Sequence, residues 1–233
     1  MFNNRTFALA LLLFGPCIFK GNLEAKTLNV HCGTTSIAPN TITAALRLLD
    51  PGGPNTLIVF GVCNENVVIK GFNRLTLVGK QRGSVHDASS GTSQAILVVD
   101  SIDIVFRQLT IDGGLVSVQC DDFSVCRFTG DNVLNGRQGG IQITESRAEI
   151  VDTTVRNTDN GITSLAGSSV RIIGGVTLDS NQTGIVVDGG STMEASGVTI
   201  TNSPITGAYV AGHGYLSLSS SSISGGRTYR PPE

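Results

Sequence analysis

One short pattern recurs through the second half of this chain. Four segments open with glycine and an apolar residue: Gly140-Ile-Gln-Ile, Gly161-Ile-Thr-Ser, Gly184-Ile-Val-Val and Gly207-Ala-Tyr-Val, at spacings of 21, 23 and 23. Ala95-Ile-Leu-Val and Leu115-Val-Ser-Val extend the series upstream. Counting the opening residue as offset zero, offset one is Ile96, Val116, Ile141, Ile162, Ile185 and Ala208. Offset three is Val98, Val118, Ile143, Ser164, Val187 and Val210. Offset nine holds Ile104, Val170, Met193 and Leu216, and offset sixteen holds Ile111, Ile200 and Ile223. A self-similar period of this length marks a repeat architecture.

Each repeat carries three short patches of alternating apolar residues, and a period of two means strand. Three strands per repeat, joined by Gly, Asn, Asp and Ser, cannot form hairpins and keep this register. Equivalent strands must stack in parallel, each turn about 4.8 Å beyond the last. Parallel crossovers are right-handed in nearly all cases. The expected fold is all-β: a right-handed parallel β-helix of about 20–25 residues per turn, with aliphatic side chains stacked in the bore. Asn160, Asn181 and Asn202 recur near one offset, where Asn suits a tight corner. Composition agrees. Gly is 29 of 233 residues, charged residues are 15% and aromatics 5%, which suits pleated walls and tight corners better than helices. A net charge of −2 gives no electrostatic footprint for nucleic acid.

The start of the solenoid is marked by Ile42, Ala45, Leu46 and Leu49, one face of a short helix near 41–49. Asn40 or Thr41 can cap it and Asp50-Pro-Gly-Gly ends it. This helix closes the bore. Lys80 to Gln94 is polar, with two glycines and runs of serine, and is expected as a loop leaving the wall. Upstream, Phe7 to Phe14 is an unbroken apolar run behind Arg5, too short to span a membrane and suited to a signal peptide over 1–25. The β-helix domain then covers 26–226, with a polar tail over 227–233. These features predict a secreted or periplasmic chain, with no membrane partner after cleavage. Four cysteines remain: Cys32, Cys63, Cys120 and Cys126. Their spacing lacks the common zinc patterns, and export favours the disulfides Cys32–Cys63 and Cys120–Cys126. Nothing apolar follows Gly226, so the last turn is expected to leave bare strand edges at Ala208–Val210 and Leu216–Leu218. Such edges invite self-association.

The repeat, the capping segment Ile42 to Asp50 and the stretch Gly61-Val-Cys-Asn-Glu-Asn-Val-Val-Ile69 resemble the pectin-lyase-like superfamily. The resemblance implies the fold and leaves the activity open, since that superfamily holds lyases, hydrolases, esterases, epimerases, adhesins and proteins without a known reaction. Asn157-Thr-Asp159, Asp121-Asp122 and Gly212-His-Gly214 are similar to polygalacturonase strings. Their order along the chain is wrong for that family, and Asp122 and His213 fall four turns apart, about 19 Å. One line of residues has another use. Asp100, Asp121, Asp122 and Glu145, with Arg147, fall just after the first strand on three successive turns. Stacked carboxylates repel unless a cation sits between them, and calcium accepts such oxygens. The leading expectation is an exported β-helix that binds or presents a surface to extracellular carbohydrate or another macromolecule, without a catalytic set. The runner-up is a polysaccharide-degrading enzyme of the calcium-dependent lyase kind, using that acidic line.

Overall fold

A computed structural model of the chain describes residues 25–34 and 37–225, and the backbone of 227–229. The segment expected as a signal peptide, 1–25, lies outside these residues except for its last position. The chain coils into a solenoid in which the described strands pair in parallel. The strands form two sheets, one of 13 strands and one of eight. The eight-stranded sheet takes the first strand of each coil, such as Gly139–Thr144, Asn160–Leu165 and Thr183–Val187. The longer sheet takes the second and third strands, such as Arg147–Val151 and Thr154–Arg156.

The bore is filled by apolar columns, one residue per coil. Ile104, Cys126, Ala148, Val170, Met193 and Leu216 form one column in register. The predicted stack over the first strands stands, with one correction. Val118, not Val116, aligns with Ile96 and Ile141, because the strand begins at Val116, which pairs with Gly139 two residues before the stacked position. The recurring glycine has a steric cause. A Cβ on Gly161 would meet the carbonyl oxygen of Gly184 at 2.5 Å, and one on Gly184 would meet that of Gly207 at 2.5 Å.

Left-handed residues mark the corners of the coils, and many of them stack into three columns. The first includes Asp100, Asp122, Glu145 and Ala166; the second Gln108, Asp152 and Ser220; the third Asn135, Asn157, Ser180 and Asn202. Asn157 and Asn202 thus serve as turn residues. Asn181 instead points inward, where its Oδ1 accepts from Thr158 N–H at 3.1 Å and Thr158 Oγ1 at 2.9 Å. Asn160 belongs to a strand.

Helix Ile42–Leu46 is present, with Thr41 Oγ1 accepting from Ala44 N–H at 3.0 Å. Ile42, Ala45 and Leu46 are buried against the first coils. Glu65 supports its N-terminus, accepting from Ile42 N–H at 2.6 Å and Thr43 N–H at 3.0 Å. Both disulfides exist, Cys32–Cys63 and Cys120–Cys126. The second joins the two sheets at one corner: Cys120 lies in the eight-stranded sheet and Cys126 in the longer one.

Two expectations are corrected. Lys80–His86 is strand rather than loop, with Ser84, Val85 and His86 paired to Thr110, Ile111 and Asp112. Only residues 87–94 leave the wall, gathered around Asp87, which accepts from Ser89 N–H, Ser89 Oγ and Asn66 Nδ2. Those hydrogen bonds hold the Asp87 carboxyl down at about 2, outweighing the opposing effect of its burial. The edge expected at Ala208–Val210 is covered, since Arg227–Tyr229 forms a strand in register with Thr206, Ala208 and Tyr209.

Candidate functional site

The corner column places three of the expected residues together in sequence register. Asp100, Asp122 and Glu145 follow aligned strands and share a left-handed backbone, with φ of +47°, +50° and +49°. Asp121 ends its strand, and accepts from Gln119 Nε2 at 2.9 Å and from Asp122 N–H at 3.1 Å. Arg147 opens the next strand. Their side chains do not close on a common point. Among the described residues, three ligand atoms lie within 4.8 Å of one another only at Cys32, Cys63 and Glu65. There the cysteines are disulfide-bonded and the carboxylate caps the helix.

The outer face of the longer sheet offers more. Alternation that sends Ala148 and Ile150 inward sends Arg147 and Glu149 outward. Register then builds two outward columns. One runs Val125, Arg147, Ser169, Thr192 and Tyr215. The other runs Arg127, Glu149, Arg171, Glu194 and Ser217. In the second column charge alternates from coil to coil. Arg127 Nε lies 3.1 Å from Glu149 Oε1, and Arg171 Nη1 lies 4.0 Å from Glu149 Oε2. Exposed pairs of this kind add little stability, so the row has no strong structural reason to exist.

Three hollows follow these columns. The largest, about 720 Å³, lies between Phe123, Glu145, Arg147, Ala166 and Ser169. A second, about 220 Å³, shares Val125, Arg147 and Ser169 with it and extends to Asp103, Arg127, Glu149 and Arg171. A third, about 460 Å³, continues from Arg171 past Glu194 and Ser196 to Ser217 and Ser219. Shared lining residues join them into one shallow trough along the solenoid. Sequence reasoning reached Glu145 and Arg147 and missed the rest. The signal was there: Arg127, Glu149, Arg171 and Glu194 recur at the spacing of the repeat. The polygalacturonase-like strings stay apart. Asp122 and the Gly212-His213 corner are separated by four coils along the same column, through Glu145, Ala166 and Gly189.

No family model and no curated protein matches the sequence. Solved structures do. A pectin methylesterase in complex with hexasaccharide VII superposes with a TM-score of 0.56 at 14% identity, over 80% of this chain and 70% of that one. Pectin methylesterase PemA from Erwinia chrysanthemi superposes with a TM-score of 0.51 at 11% identity, over 88% of this chain and 91% of that one. At such identities the likeness is one of architecture: this chain shares the right-handed parallel β-helix fold of these two structures.

Proposed function

We propose that this protein is an exported carbohydrate-binding β-helix that holds a linear, hydroxyl-rich glycan along its outer trough. The observation that carries this reading is the trough itself, where charge is balanced and both signs line the hollows. Arg127, Arg147 and Arg171 stand among Asp103, Glu145, Glu149 and Glu194. An acidic polymer gains little from such a face. A neutral sugar gains charge-assisted hydrogen bonds from cations and carboxylates alike, because a hydroxyl both donates and accepts. Ser169, Ser196, Ser217 and Ser219 add further polar groups. The two disulfides suit an oxidising, extracytoplasmic compartment. The solved neighbours, one of them holding a hexasaccharide, supply a precedent for carbohydrate on this architecture.

Titration calorimetry against neutral and acidic polysaccharides tests the reading. Binding of a neutral glycan that persists at high salt is expected. Arg171→Ala and Glu149→Ala are each expected to weaken it about tenfold, since hydrogen bonds to charged groups contribute roughly 1.5–3 kcal/mol. Binding restricted to acidic polymers and abolished by salt overturns it. The lyase reading rests on Asp100, Asp122 and Glu145 sharing one register column. Calcium-dependent cleavage of an acidic polysaccharide, with a calcium-induced rise in melting temperature lost in Asp122→Asn, would replace the binding reading by that one.

A further inference from the structure

Phe123 is 79% exposed, although aromatic side chains rank among the strongest contributors to a core. Its backbone is left-handed, with φ of +60°, and follows a second left-handed residue, Asp122. A bulky residue is uncommon there. Two later coils turn the corresponding corner with Gly167 and Gly190, and the last with the polar His213. Neither solvation nor backbone conformation therefore accounts for a phenylalanine at this point. The corner is also braced. The Cys120–Cys126 disulfide closes the short segment that contains Phe123, and Ser124 Oγ donates to Asp121 O at 2.6 Å. The ring is thus presented on a restrained turn, and it lines the largest hollow of the trough.

Tyr215 is the counterpart. It is 59% exposed and sits on the outer face, while its neighbour Leu216 packs against the core. It occupies the same outward column as Val125, which lies two residues beyond Phe123. Four coil steps separate Val125 from Tyr215, about 19 Å at the usual strand spacing. Between them lie Arg147, Ser169 and Thr192, beside the alternating row from Arg127 to Glu194. The surface is a polar trough with an exposed aromatic ring toward each end.

We propose, on the footing of the carbohydrate reading above, that Phe123 and Tyr215 are stacking platforms for the two ends of an extended glycan segment. The apolar face of a sugar ring packs on each aromatic, and the polar columns between them bind the hydroxyls. The consequence is selection by length: a chain that bridges about 19 Å engages both rings, and a shorter one engages a single ring. Restraint of the corner by the disulfide lowers the ordering cost at the Phe123 end.

The test is calorimetry of the full chain with a length-graded series of one linear neutral oligosaccharide, from the disaccharide upward. Affinity is expected to rise with length, step upward where the ligand first bridges the trough, and then level off. Phe123→Ala and Tyr215→Ala are each expected to weaken the bridging ligand about three- to tenfold and to remove the step. Phe123→Tyr is expected to keep it. Unchanged melting temperatures, expected for exposed positions, confirm that the variants fold. If the unaltered chain binds a long glycan but shows no length step, or if both alanine variants bind it equally well, the two-platform inference falls and the trough reading stands. If the unaltered chain binds no glycan, both fall.

Discussion

Two corners of the same coil solve one problem with different chemistry. Where the chain leaves the eight-stranded sheet, a column of buried serines follows the left-handed residue: Ser101, Ser124, Ser146, Ser168 and Ser191. Each hydroxyl accepts from a backbone N–H one coil back. Ser101 N–H reaches Ser124 Oγ at 3.2 Å, Ser124 N–H reaches Ser146 Oγ at 3.0 Å, and Ser146 N–H reaches Ser168 Oγ at 3.2 Å. Several also donate to a nearby carbonyl, as Ser168 Oγ does to Leu165 O at 2.5 Å. At the corner inside the longer sheet, Asp131 meets the same need for acceptors. Its Oδ1 takes Leu109 N–H at 2.8 Å and its Oδ2 takes Thr129 N–H at 2.9 Å. A hydroxyl does this without charge, whereas a carboxylate brings a charge into a wall where Asp131 is 1% exposed. Burial pushes the Asp131 carboxyl up to about 7, against the pull of those two N–H groups. The serine column is indifferent to pH, and the Asp131 corner is not.

The largest effect should come from titrating that difference. Asp131 has a folded-state value near 7 and an ordinary value of 3.8. The folded chain therefore binds more protons than the unfolded chain between these values, and stability falls as pH rises through the window. The contribution is complete below about pH 4 and gone above about pH 7, and amounts to about 4 kcal/mol at most. Asp87 and Asp179 are shifted downward, so their opposite contributions are lost only below about pH 4. Urea unfolding at pH 4.5 and 7.5 measures the slope. Asp131→Asn should flatten it; an identical slope in the variant would refute the assignment.

A smaller effect is expected at the neutral corner. Ser146→Ala removes the shorter of two acceptors of Ser124 N–H and leaves only Asp121 O at 3.3 Å, at a cost of about 1–2 kcal/mol. The loss should be equal at both pH values, because no proton is exchanged. A loss that differs between the two would mean that the serine corner is coupled to an ionisable group, and the contrast with Asp131 would collapse.

The contrast also explains which parts of the molecule could be read in advance. Ile42, Ala45 and Leu46, and the columns through Ile104 and Ile111, carry an apolar periodicity that burial imposes. The serines recur just as regularly, at 23, 22, 22 and 23 residues. A small hydroxyl after a turn has the composition of any hydrated loop, however, and its inward direction shows only in the fold. Val116 and Ile96 both open apolar runs, and a slip of two residues leaves alternation unchanged, so alternation alone does not decide between Val116 and Val118. The trough was hidden for the opposite reason. Outward positions need no apolar residue, so Arg127 and Glu149 look like ordinary surface until pairing sets them side by side. Asp100, Asp122 and Glu145 could be aligned from their distance past the strand, whereas the direction of their carboxylates could not.

The smallest effect concerns a hydroxyl that belongs to neither corner. Ser164 sits in the bore column between Ile143 and Val187, fully buried, in a place where the two flanking coils put aliphatic side chains. Its Oγ has no hydrogen-bond partner. The hydroxyls of Ser124 and Ser168 are buried as deeply and are satisfied, so burial of a hydroxyl costs little where a backbone group meets it. At Ser164 the desolvation is uncompensated. Ser164→Ala removes the polar atom and leaves the β-carbon in the column. It should stabilise the protein by about 1 kcal/mol, or about 2–4 °C in melting temperature for a domain of this size. Ser146→Ala, the same chemical change one column away, should destabilise. Scanning calorimetry of the two variants side by side checks the opposite signs. If both lower the melting temperature, partner satisfaction is not what separates a useful buried serine from a costly one in this solenoid.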